Sequence, residues 1–181
     1  MRIMLVLVLL CGCNYYDSAY NDILSGLEGL FYDKDEGQRQ LVEMREDIAT
    51  AEEMISWYAD VGFEYDKDPL DGLIDFMSEP WVTVQKKAGD CDDIAVLTEC
   101  ILRGKYEESG ILIIERGSSG HAAFVYFQSQ ASITDTKWYM EEGWYISGMT
   151  WVRGPYDTLE DVADSVYVGY DHMAIINYYS W

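Results

Sequence analysis

The hydrophobic period of this chain changes near residue 110, from the spacing of helices to the alternation of strands. Over residues 38–61, Leu41, Met44, Ile48, Met54, Ile55 and Tyr58 recur at helical spacing and predict one amphipathic helix, closed by Gly62. Residues 63–80 read as a loop-rich connection with a short helix around Leu73 to Met77, bounded by Pro69 and Pro80. A second long helix is expected from Asp90. Asp90 suits the N-cap, and Asp92 and Asp93 fall in the first turn, where the helix dipole favours acids. Ile94, Ala95, Leu97, Thr98, Ile101 and Leu102 give this helix a broad apolar face, so it should be deeply buried before Gly104 or the 107–110 turn ends it. Beyond that point the runs 111–115, 121–128 and 137–147 are aromatic and β-branched and are separated by Gly, Ser and Asp clusters. They predict an antiparallel sheet. Thr158 to Asp161 has the form of a capping box opening a short helix, and a last strand is expected over 173–178. Helices followed by strands predict an α+β domain, with the Asp90 helix packed on one face of the sheet.

Chemistry concentrates at two residues. Cys91 follows Gly89 and Asp90 at the start of the buried helix, where the positive end of the dipole stabilises a thiolate. His121 follows Gly120 and opens a strand, and an imidazole there can take the thiol proton and return it to a leaving group. Asp90, Asp92 and Asp93 would oppose ionisation of the thiol if they pointed at the sulfur. Their positions predict that they face backbone N–H groups or solvent. The plainer alternative for Cys91 is an inert core thiol, the role expected of Cys100. His172 has no nucleophile or ligand spacing around it and reads as structural. No metal and no cofactor are expected: neither His has a Cys or His at ligand spacing, and the acids at 66–68 and 90–93 lack the pattern of a calcium loop.

The first residues form an address. Arg2 precedes an apolar stretch at 3–10, too short to span a bilayer and of signal-peptide length. It ends in Leu10-Cys11-Gly12-Cys13, which resembles the lipobox of bacterial lipoproteins, where the final cysteine is lipidated and becomes the new N-terminus. On that resemblance residues 1–12 are a signal peptide, Cys13 carries lipid, 13–37 are a tether with one short helix, and the domain runs from 38 to 181. The protein would then stand at the cell envelope, touching the membrane only through its anchor. Cys91 and Cys100 would remain as free thiols. Nine residues apart on one helix, they are separated by about 13 Å of rise and face opposite ways, which rules out a disulfide between them. The formal net charge of −21 excludes nucleic acid as a partner, since phosphate binding needs clustered Lys and Arg.

Gly89-Asp90-Cys91-Asp92-Asp93-Ile94-Ala95, the later Gly120-His121-Ala122, and the lead-in Pro80 and Thr83 resemble the transglutaminase-like fold. The resemblance is closest to the bacterial transglutaminase-like cysteine proteinases and covers residues 48–142. It implies a papain-like site, with Cys91 as nucleophile on a central helix, His121 on the second following strand and an acid from the next strand. That strand commonly reads Trp-Tyr-hydrophobic-x-Asp in the family. Here Trp138-Tyr139-Met140-Glu141-Glu142 puts Glu142 at the Asp position, with Asp135 as the alternative. Gln85, six positions before the nucleophile, has the spacing of papain's oxyanion glutamine and joins the Cys91 N–H as a candidate oxyanion donor. Trp81 is a candidate groove wall. The expected activity is thiol-dependent acyl transfer on peptide or protein amides, first as hydrolysis. Transfer to an amine with the same residues is one alternative. A catalytically silent binding module at the envelope or in a virion is another.

Overall fold

The computed structural model describes residues 26, 29–66, 77–117, 119–134 and 137–177, and over 130–142 it describes the backbone alone. Upstream of residue 66, two helices stand where the hydrophobic period predicts one: α1 (Lys34–Asp47) and α2 (Ala51–Val61). The break is a capping box. Thr50 Oγ1 accepts the Glu53 N–H at 3.2 Å, and the Glu53 carboxylate accepts the Thr50 N–H at 3.1 Å. Replacing Thr50 by Ala should therefore cost about 0.5–2 kcal/mol, read as a lower urea midpoint with an unchanged slope. Helix α1 starts inside the expected tether because Asp33 caps it through the Glu36 N–H at 3.1 Å. Gly62 ends α2 as expected, in the left-handed conformation.

Next, β1 (Glu64–Tyr65) pairs in parallel with β2 (Ala88–Gly89), and α3 (Pro80–Lys86) comes between them in sequence. Pro80 opens a helix instead of bounding a loop, since the first helical position needs no N–H. The helix expected at 73–77 falls outside the described residues, except for Met77, which is not helical.

Helix α4 (Cys91–Leu102) is the centre of the molecule, with every residue from Asp92 to Leu102 buried. Full burial of Leu97, Ile101 and Leu102 contributes roughly 1.5–3 kcal/mol each. The remaining strands are β3 (Glu108–Arg116), β4 (Ser119–Thr134), β5 (Lys137–Ser147), β6 (Val152–Tyr156) and β7 (His172–Ile176), with α5 (Leu159–Val166) before the last. They form an antiparallel sheet in the order β6-β5-β4-β3-β7. The molecule is thus α+β, and the capping box at Thr158 opens α5 as predicted. Strand β6 is an addition to the sequence reading.

Alternation along β4 explains the layering. Ala122, Phe124 and Tyr126 pack with residues of α4 and the earlier helices, whereas Ala123 and Val125 pack with Val162 and Ala163 of α5. Helix α4 covers one face as expected, and α5 covers the other. No helix among the described residues is long and apolar enough to cross a membrane. The expected signal peptide and the lipidated Cys13 lie outside the described residues.

Candidate active site

Cys91 is the first residue of α4 and is only partly exposed. Its position is set from both sides. Upstream, Gly89 permits the approach of Asp93: a Cβ at residue 89 would lie 2.6 Å from the Asp93 Cβ. Asp93 is buried and accepts the Ser78 N–H at 2.6 Å, which fastens the segment before α3 to the start of α4. Downstream, the sulfur accepts hydrogen bonds from its own backbone N–H and from the N–H of Ala122.

The surroundings of the sulfur oppose the expected thiolate. Asp90 occupies the N-cap position but makes no side-chain capping bond, and its Oδ1 is buried without a hydrogen-bond partner. The carboxylates of Asp90 and Asp92 and the Cys91 sulfur have ligating atoms all within 4.8 Å of one another. Burial first, and then these two acids, push the thiol up to about 11 despite the two N–H donors. Both influences favour the protonated thiol at neutral pH. The same three groups are the carboxylate and thiol donors among the described residues close enough together to hold a metal ion.

His121 sits on β4 opposite Ile114 of β3 and is half-buried, with its ring edge-on to Tyr167 at 6.5 Å between centroids. Burial lowers its pKa below the ordinary value, and the Asp90 carboxylate pulls it back up. Strand β5 ends at Ser147, opposite Phe124, so residues 119–123 have no ladder partner on that side among the described residues. The thiol reaches Ala122 from the α4 side. The imidazole, one residue earlier on the strand, lies toward Tyr167 beyond α5. The two groups thus meet adjacent residues of β4 but leave the strand on opposite faces, beside its stretch without a ladder partner.

The other expected members do not join them. Glu142 pairs with Ser129, eight positions along β4 from His121, or about 26 Å at the rise of a strand. It cannot orient that imidazole, and Asp135 lies outside the described residues. Gln85 is spent elsewhere: its Oε1 accepts the Asp33 N–H at 3.1 Å, and its Nε2 donates to the carbonyls of Asp33 and Trp81, each at 2.8 Å. It pins the start of α1 to α3. Trp81 is 7% exposed and belongs to the core, not to a groove. Cys100 is buried as expected, and both described cysteines are free thiols. His172 is exposed at the start of β7, opposite Glu115.

Two residues at the site were not picked out by the sequence. Asp90 reads as an ordinary cap, and only the missing capping bond marks it as something else. Tyr65 lies within the segment read as loop, on a strand too short to show a period. Its hydroxyl lies within hydrogen-bonding reach of the Cys91 sulfur, beside Asp90 and Asp92.

No protein-family model, no curated protein and no solved structure matches this chain.

Proposed function

We propose that this chain is a thiol-dependent acyl-transfer enzyme with a transglutaminase-like core, acting on peptide-like amides by hydrolysis. The observation that carries the reading is the hydrogen bond from the Ala122 N–H to the Cys91 sulfur, which ties the nucleophile to the residue after His121. The helix start supplies a sulfur with N–H donors around it, and the adjoining strand supplies a base that burial keeps neutral. With a protonated thiol and a neutral imidazole, the proton passes to His121 as the sulfur attacks the carbonyl, and returns to the leaving amine. Asp90 takes the place expected of Glu142 by stabilising the imidazolium that forms. The reading requires the ring to leave Tyr167 and pass around the strand edge at 119–123, where β4 has no partner from β5, to meet the sulfur. Lipidation at Cys13 and an envelope location belong to the same proposal.

An activated ester tests it. p-Nitrophenyl acetate should release a burst of p-nitrophenol equal to the amount of wild-type protein and none from Cys91→Ala. A primary amine added during turnover, followed into product, separates an amine transferase from a hydrolase. Iodoacetamide should label Cys91 more slowly than a small free thiol at pH 7, with a rate that climbs toward pH 11. A plateau below pH 8 would mean a preformed thiolate–imidazolium pair and would reject the neutral mechanism. The raised thiol pKa also favours the silent binding module as a second reading, and a wild-type protein without a burst would select it.

A further inference from the structure

An acyl-transfer site needs hydrogen-bond donors for the oxygen that becomes negative in the tetrahedral intermediate. The side chain expected to provide one, Gln85, has both ends of its amide engaged with Asp33 and Trp81. The described structure offers another group, delivered by the small parallel ladder. Glu64 N–H donates to the Lys87 carbonyl and Asp66 N–H to the Gly89 carbonyl, each at 3.0 Å, so the residue between them is held beside Gly89. That residue is Tyr65. Tyr65 is 54% exposed, so it stands at the surface beside the site, with its hydroxyl within reach of the Cys91 sulfur.

We propose that the Tyr65 hydroxyl is a catalytic oxyanion donor of the Cys91 site, resting on the sulfur before substrate arrives and moving to the carbonyl oxygen during attack. A donor already on the sulfur lies one bond away from the carbon that the sulfur will join. The step balances without any further reactant. The thiol proton goes to His121, the S–C bond forms, and the carbonyl π pair moves to oxygen, which accepts the Tyr65 O–H and the Cys91 N–H. Collapse returns that pair to the C–O bond and expels the leaving group, which takes the proton from His121. The phenol keeps its own proton throughout: burial, with Cys91, Asp90 and Asp92 nearby, pushes it up to about 12. It therefore remains a donor at every pH at which the thiol and imidazole pair works.

The inference rests on Cys91 being an acyl-transfer nucleophile, and two reagents separate the claims. Acylation by p-nitrophenyl acetate passes through an oxyanion, whereas alkylation by iodoacetamide does not. In the full chain, Tyr65→Phe should slow acylation by ~10²–10³-fold and change alkylation by less than about tenfold. An unchanged acylation rate, or an equal fall with both reagents, would overturn the role of Tyr65 while leaving Cys91 as nucleophile. A wild-type protein that alkylates but never acylates would overturn both. The change removes one atom from an exposed ring, and an unaltered melting temperature will show that the fold is intact.

Discussion

His121→Ala should slow acylation of Cys91 by about 10²–10⁴-fold, the range that a positioned general base supplies. The expectation is large because the carboxylates of Asp90 and Asp92, the other groups beside the sulfur, are much weaker bases than an imidazole. A thiol pushed up to about 11 presents almost no thiolate at pH 7, so attack depends on a base acting as the S–C bond forms. The same assay over pH gives the sign. His121 must be neutral to act, and its pKa lies below the ordinary value of about 6.5 because it is half-buried. The wild-type rate should hold from neutral pH down to that value and fall only at more acid pH, as the imidazole becomes protonated. In His121→Ala this acid limb should vanish along with most of the rate. A variant that keeps both would move the base to another residue. An Asp90→Asn protein provides the companion observation: without the carboxylate, the limb should shift further toward acid, because burial is then unopposed.

The residues that were legible are those whose neighbours in sequence are also their neighbours in space. Helix α4 could be read directly, since its apolar positions are too many for a surface helix and Cys91 falls at its first turn. The break between α1 and α2 was equally present, as Thr50 with Glu53 three positions on, but the apolar spacing runs through it and masks the cap. Strand β6 was hidden because Gly154 and Pro155 interrupt any alternation. The orienting acid failed for a different reason. Trp138-Tyr139 matches the motif letter by letter, yet the register that sets Thr134 opposite Lys137 sends Glu142 to Ser129. The Trp-Tyr pair that leads toward the site is Trp144-Tyr145, whose strand ends at Ser147 opposite Phe124 and carries no acid there. Strand register depends on the length of the hairpin, which no residue of the motif encodes. Asp90 and Tyr65 were missed because their roles depend on contacts between segments: an acid that declines to cap, and a phenol brought in by a two-residue ladder.

Arg103→Ala should cost about 3–5 kcal/mol, a large share of the 5–15 kcal/mol that stabilises a typical domain. Glu99 lies one turn before the end of α4, within its buried length, and is 1% exposed. Its carboxylate is met by the guanidinium of Arg103 across two oxygens, with Nε at 2.7 Å from Oε1 and Nη2 on Oε2. Truncating the arginine leaves a charge in the core without its partner, and the desolvation of that charge is then uncompensated. The backbone contacts at this junction survive the substitution, so the loss reads the side chain alone. Arg45 of α1 donates to the Arg103 carbonyl, and Lys105 donates to the carbonyls of Arg45 and Ile48, so the end of α1 is held by the residues that follow α4. Urea unfolding at pH 7 measures the cost. The double variant Glu99→Leu with Arg103→Leu distinguishes an uncompensated charge from lost packing: removing both charges should recover most of the stability, since an apolar pair of similar size commonly matches or exceeds a buried ion pair. If the double variant is no more stable than Arg103→Ala, the arginine contributes through the packing of its side chain and not through its charge on Glu99.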